Sequence, residues 1–428
     1  MATDPSPSSE GRLPGELRTF MLQSGFWAVL CFSTEAFCHF FLHLRYPYDY
    51  PAVPAFLIFG DFRFWFGKLV TTFHTREFYT TGAPLMYPAP VVVVYKFFTL
   101  FSFSQHALIA TLRFVAVILA TSWIMLYGFY RGLVRRGITP KSARIFLAAV
   151  YFLSFPFWFE VHQANMEFVV WVMVMLGLWA FWIRRPWAAA VFFGVAAAMK
   201  IFPLVFVGLF LTRKQYRQAA FTLVVVAFTT AVSLWLVYPD IAYSWRATNA
   251  AVGQFREMYM LHLLPTETGF DHSLFCLFKK VIPALPPPSV MSRLLTAYLA
   301  VAAVGGILLY LLRIRTMPMV NQILCLSIAA ILLPPTSYDY TLLHLYAPFA
   351  LVVFVAIECR SARPALPGLL LLFVLFAFLL SPQSEFIAHG LRFAGQLKAV
   401  ALFLLGLAAL IYRLPSKGDL DEIPATEG

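Results

Sequence analysis

Four short stretches gather side chains able to do chemistry in a chain otherwise built of apolar runs. FGDFRFWFGKL (59–69) holds one carboxylate, Asp61, among aromatics. FEVHQANMEF (159–168) concentrates Glu160, His162, Gln163, Asn165 and Glu167. AAAMKIFPLVF (196–206) sets Lys200 between two short apolar runs, and PPTSYDYTLLHLYAPF (334–349) carries Asp339, Tyr340 and His344. Polar groups at membrane depth are costly and tend to line cavities or substrate paths. A carboxylate at such a boundary can take the proton of an attacking hydroxyl. A lysine can hold a phosphate as a compact point charge, and amides or an imidazole can donate hydrogen bonds to developing negative charge. Asp49, in YPYDYP, competes with Asp61 for the role of base, and Glu160, Glu167 and Asp339 stand behind them.

Each of these residues also has a structural reading. Asp61 can cap a short interfacial helix over 61–73, since aspartate accepts hydrogen bonds from free first-turn amides. Lys200 can snorkel to the membrane surface. Two acids and a histidine within 159–168 invite a metal, but their spacing matches no diagnostic ligand pattern, so no metal is expected. Glu35 and His39, four residues apart in the first apolar segment, can pair on one helix face. Arg246, Arg256, Asp271, His272, Lys279 and Lys280 lie in a later loop and suit either solvent or anionic groups.

The elements that position these residues follow from composition. Of 428 residues, 61% are hydrophobic and 12% charged, with mean hydropathy +0.77. Soluble domains are about 45–50% apolar and about 25% charged, so the expected class is an all-α polytopic membrane protein. The net charge of +12 is assigned to cytoplasmic loops and not to nucleic acid, because no nucleic-acid-binding motif accompanies it. Apolar runs near 20–44, 106–130, 145–160, 166–183, 187–200, 202–213, 219–238, 292–313, 318–334, 341–357, 367–381 and 396–412 predict about twelve spans. PAPVVVVYKFFTLFSF (88–103) is ambiguous, and is read as a re-entrant or half-depth helix.

With the N-terminus inside, six short segments carry sixteen Lys and Arg against one acid, Glu358. The positive-inside rule asks for that bias. The expected arrangement is a multi-pass protein of the plasma (inner) membrane with both termini cytoplasmic. Its outer loops are 45–88 and 239–291, and all four chemistry-bearing stretches lie on the extracytoplasmic side. Residues 1–18 and 415–428 read as disordered cytoplasmic tails, and 19–414 as a single transmembrane domain. The N-terminal segment lacks the pattern of a cleavable leader. Of the five cysteines, four lie in or beside apolar runs and read as small buried hydrophobes, while Cys276 falls in an outer loop with no obvious disulfide partner.

At these stretches the chain resembles the family 87 glycosyltransferases, polytopic enzymes of the GT-C fold that use polyprenyl-phosphate-linked mannose. Asp61, Phe62 and Phe64, followed by Tyr87 and Pro88, resemble the family's Asp-Phe-aromatic start and Tyr-Pro pair. Gln163 and Asn165 match its Gly-Gln-x-Asn turn, with His162 in place of the glycine. Lys200, Ile201, Phe202 and Pro203 resemble its Lys-aromatic-Pro hairpin with one extra residue. Asp271, His272, Ser273 and Leu274 resemble an Asn-x-Ser-Leu stretch. Ser337 to Tyr340 stand where a Ser-Trp-x-His turn is found, and His344 is one helical turn on. The likeness spans roughly residues 55–350, in order.

The resemblance implies a GT-C-like bundle, Asp61 as catalytic base, and donor binding by Lys200, His162, Gln163 and Asn165. It also implies a polyprenyl-phosphate sugar as donor and an acceptor that is a glycolipid, polysaccharide or protein. No cofactor is expected. Two other classes compete. An envelope polysaccharide ligase or polymerase would lean on basic residues of its large outer loop. A transporter would show inverted repeats, and no such repeat is found.

Overall fold

Thr139 and Pro140 open a helix that Ser154 and Pro156 interrupt. The Thr139 hydroxyl accepts the Ser142 amide, and a first-turn proline loses no helical hydrogen bond. Ser154 accepts the Phe157 amide at 3.3 Å and starts a new helix, bent by 50° from the one before. The same punctuation by proline and capping hydroxyls recurs along the chain. It divides long apolar stretches into short helices.

The computed structural model describes residues 13–41, 43, 59–80, 86–100, 107–262, 271–282, 286–359, 367–381 and 394–415. The helices run in the order α1 (Gly15–Phe40), α2 (Gly60–Thr71), α3 (Glu77–Thr80), α4 (Ala89–Thr99), α5 (Ala107–Arg135) and α6 (Pro140–Phe152). Then come α7 (Phe155–Gln163), α8 (Glu167–Trp182), α9 (Pro186–Met199), α10 (Val207–Thr212), α11 (Tyr216–Val237) and α12 (Ile241–Phe255). The last six are α13 (Leu274–Val281), α14 (Pro288–Leu312), α15 (Met319–Leu332), α16 (Tyr346–Glu358), α17 (Pro367–Leu380) and α18 (Ala394–Ile411). 3₁₀ turns at Phe202–Phe206 and Asp339–Leu345 lead into α10 and α16. There is no strand among the described residues. α1 begins four residues ahead of the boundary expected from composition.

Two apolar clusters hold the bundle. One joins α1, α6 and α15–α18 around Phe20, Phe146, Phe349 and Phe373, and the other joins α2, α4, α5 and α8–α11 around Phe62, Phe114, Phe193 and Phe210. Gly194 lets α9 meet α11 closely. A Cβ there would lie 2.9 Å from the Thr222 carbonyl oxygen, so a larger residue would force the helices apart.

The outer surface is apolar too. Val301, Val304, Ile307 and Leu312 of α14 are each more than half exposed. In water each would forfeit about 1.5–3 kcal/mol of burial, which places this surface in lipid. Four helical segments, Ala107–Arg135, Tyr216–Val237, Pro288–Thr316 and Asp339–Glu358, are long and apolar enough to cross a membrane, and the bent pair α6–α7 makes a fifth. The protein is thus an all-helical polytopic membrane protein. Several of the apolar runs counted as spans from sequence, α8, α9, α15 and α17 among them, are helices of 14–16 residues. At 1.5 Å per residue these fall short of the roughly 30 Å hydrocarbon core. α4 has 11 residues and is about 16 Å long, consistent with a half-depth helix.

Candidate active site

Helix ends from four parts of the chain converge on Asp61. α7 ends at Ala164, whose φ of 50° is left-handed, and α2 begins after Phe59, whose φ is 60°. Such conformations cost a residue with a Cβ on the order of 1–3 kcal/mol and persist where the surroundings enforce them. The Phe59 amide donates to the His162 carbonyl at 2.7 Å, locking the two turns together. That junction points Asn165 at Asp61: Asn165 Nδ2 donates to Asp61 Oδ2 at 2.6 Å and lies 3.4 Å from the Tyr87 hydroxyl. Asn165 Oδ1 meanwhile accepts the Glu167 amide at 2.8 Å, so one side chain both starts α8 and holds the carboxylate.

Asp61 does not cap its own helix. The cap position of α2 is Phe59, with no side-chain cap, and Asp61 Oδ1 accepts no hydrogen bond among the described residues. The carboxyl is half-buried. Desolvation pushes its pKa above the ordinary carboxylate value, while the Asn165 hydrogen bond and the Lys200 charge pull it back in part. The neighbouring Tyr87 phenol is raised well above its usual value, by burial first and then by the Asp61 charge. It therefore stays neutral and able to donate.

Lys200 follows α9 in an extended conformation. Its ammonium is ion-paired to Glu167 Oε2 and sits 4.9 Å above the Tyr340 ring. Glu167 Oε1 lies 2.7 Å from His344 Nε2, with both side chains fully buried. Tyr340 stacks on Phe159, and His344 meets Phe202 edge-on at 5.0 Å. Asp61, Asn165, Glu167, Lys200, Tyr340 and His344 thus form one cluster. From sequence Lys200 reads either as a lysine snorkelling to the surface or as a point charge for a lipid phosphate. In the structure Glu167 balances its charge, leaving an ammonium with further N–H groups to offer.

Gln163 and His162 lie at the rim, 3.3 Å apart. Glu160 is fully buried, and neither of its carboxylate oxygens has a hydrogen-bond partner among the described residues. Asp339 belongs to a second cluster: it pairs with Lys398 Nζ at 2.5 Å and lies 3.5 Å from His272 Nδ1, with all three side chains fully buried. The importance of Lys398 was not anticipated, although a lysine inside the apolar run of α18 is itself a signal. No three His, Cys, Asp or Glu residues are grouped to hold a metal among the described residues. Asp49 lies outside the described residues, as do the side chains of Glu35 and His39.

Residues 85–335 match the family model for glycosyltransferase family 87. The chain belongs to glycosyltransferase family 87. It is accordingly a membrane glycosyltransferase. The matched segment contains His162, Gln163, Asn165, Glu167 and Lys200, whereas Asp61 precedes it and Tyr340 and His344 follow it. No curated protein and no solved structure gives a significant match. Within this family 87 chain, the bond from Asn165 to Asp61 ties the matched segment to a carboxylate that lies before it.

Proposed function

We propose that this family 87 chain moves a hexosyl group, mannose by the family resemblance, from a polyprenyl-phosphate donor to an acceptor hydroxyl on the extracytoplasmic face. The observation that carries the reading is Asp61, with Oδ2 fixed by Asn165 and Oδ1 open. The acceptor oxygen attacks the anomeric carbon as the bond from that carbon to the phosphate oxygen breaks. The bonding electron pair leaves with the polyprenyl phosphate, and the acceptor proton passes to Asp61 Oδ1. Lys200, His162, Gln163 and Asn165 supply positive charge and donors for the leaving phosphate, where preorganised groups act most strongly. Glu167 and His344 hold Lys200 in place.

A lipid-linked donor also suits an apolar groove of about 660 Å³ lined by Leu204, Val205, Ile307, Leu326 and Phe403. Its lining begins at Leu204, four residues after Lys200 in the chain, and on this reading a prenyl chain lying there leaves its phosphate near the ammonium. We extend the reading to the architecture: the short helices pair into a GT-C-like bundle of about twelve spans or half-spans. The deciding experiment measures release of polyprenyl phosphate from labelled polyprenyl-phosphate mannose by purified protein in detergent. Asp61→Asn keeps size and most hydrogen bonding but cannot take the proton, so turnover should fall by about 10²–10⁴ with donor binding retained. Unchanged turnover would remove Asp61 from the mechanism.

A further inference from the structure

The ends of the helices remote from Asp61 also converge. α8 carries the site at Glu167 and ends at Trp182, 15 residues later, a distance of about 22 Å along its axis. α9 runs back from Pro186 to Lys200, and α16 runs from beside His344 to Glu358. At these far ends lies a cavity of about 760 Å³ whose lining includes Arg136, Arg184 and Arg213. A second, of about 630 Å³, is lined by Arg315 and Arg413 and shares Arg213, Met319 and Pro415 with the first. The two adjoin at these shared residues and form a paired hollow.

Fixing the orientation of a membrane protein needs basic residues near helix ends, but it does not need them to face a common space. Here five guanidinium groups line the hollow against one carboxylate, Glu358, a net of four positive charges. That carboxylate is already taken, since Arg136 Nε lies 2.7 Å from it. The arginines are also preset. Arg136 lies 4.0 Å from the centre of the Phe354 ring, Arg213 donates to Met319 Sδ, and Arg413 donates to the Thr316 carbonyl at 2.8 Å. Arg184 sits at a left-handed turn, φ 59°, and its side chain makes no hydrogen bond among the described residues. Each guanidinium has five N–H groups, so most remain available. Phe181, Leu351 and Val355 supply an apolar wall.

Clustered arginines match phosphate oxygens in charge and fork geometry. Basic pockets between membrane helices suit anionic headgroups, with the lipid chains passing along apolar helix faces. We propose that this hollow binds the phosphate of an anionic phospholipid in the leaflet opposite the active site. The bound headgroup would bridge the α8–α9 turn, the start of α15 and the end of α16.

The test uses the full chain, purified and delipidated in neutral detergent. Phosphatidylglycerol, phosphatidylcholine with the same chains, and glycerol phosphate at matched ionic strength are added separately. Binding is read by native mass spectrometry and by the thermal unfolding midpoint. Phosphatidylglycerol should bind and raise the midpoint while phosphatidylcholine does not. Arg184→Gln removes an exposed side chain with no structural hydrogen bond, so the variant should fold. It should weaken phosphatidylglycerol binding on the order of tenfold, as expected for losing one charged hydrogen bond. Lys141→Gln, a basic residue outside the hollow, should leave binding unchanged. Glycerol phosphate matching phosphatidylglycerol would assign the same phosphate site to a soluble ester. Equal binding of the two lipids, or equal losses in Arg184→Gln and Lys141→Gln, would overturn the site.

Discussion

Asn165→Asp tests the proposed base through its titration and not only through lost activity. The wild-type amide donates to Asp61 Oδ2 at 2.6 Å, a bond that lowers a carboxyl pKa already raised by burial. Aspartate at 165 removes that donor and sets a second carboxyl against the first. Two unit charges at about 4 Å repel by roughly 4 kcal/mol at an effective dielectric of about 20, equivalent to about 3 pKa units. Asp61 is half-buried, and water screening cuts this to about 1–2 units. A base works only when ionised, so the rate falls as pH drops through its pKa. The wild-type acid limb should lie above the ordinary carboxylate range, because burial is the dominant influence on Asp61. In Asn165→Asp the apparent pKa of the pair, and with it the limb, should move up by about 1–2 units. The measurement is kcat/KM for polyprenyl-phosphate release across acidic and neutral pH. The new side chain still offers an oxygen to the Glu167 amide, so the start of α8 survives. A damaged fold would lower the whole profile without moving its limb. Asn165→Ala, which removes the hydrogen bond but adds no charge, should move the limb less. A limb that stays put in a folded Asn165→Asp enzyme refutes Asp61 as the titrating base.

Two further expectations concern stability and sidedness. Lys398→Met leaves Asp339 buried without its cation and should cost about 3–5 kcal/mol, whereas Asp339→Asn with Lys398→Met should recover most of the loss. Thermal unfolding in detergent reads both, and simply additive losses would show that the contact at 2.5 Å carries no coupling. In a background lacking the five natural cysteines, Arg76→Cys should react with an impermeant thiol reagent from the extracytoplasmic side and Lys141→Cys should not. Both side chains are exposed, so the reverse pattern would invert the proposed topology.

Apolar composition and loop charge made the helical membrane class legible, and the 11 residues of α4 accord with a half-depth reading. The count of spans was less legible. Hydropathy registers an apolar run but not whether a capping serine and a proline divide it, as Ser154 and Pro156 do. Asp61, Asn165 and Lys200 stood out as polar residues in apolar sequence. Which of them pair did not, because the partners come from distant parts of the chain: Asp61 and Asn165 are 104 residues apart, and His344 and Glu167 are 177 apart.

Charges buried in a membrane bundle must be paired or they destabilise it. Glu167, Lys200, Asp339 and Lys398 sit at helix ends or within apolar runs, so two acids and two lysines could be expected to neutralise one another. Sequence leaves the matching open, since either lysine could serve either acid. The 3₁₀ turn Asp339–Leu345 decides it. It sets His344 and the Tyr340 ring against Glu167 and Lys200, while Asp339, one residue earlier, faces Lys398 and His272. Adjacent residues of one turn thus contact two separate ion pairs. In the proposed mechanism the Asp339 pair fixes the turn to α18, and the Glu167 pair uses that fixed turn to orient Lys200 toward the site. On this account Lys398→Met should impair turnover as well as stability, without ever touching substrate.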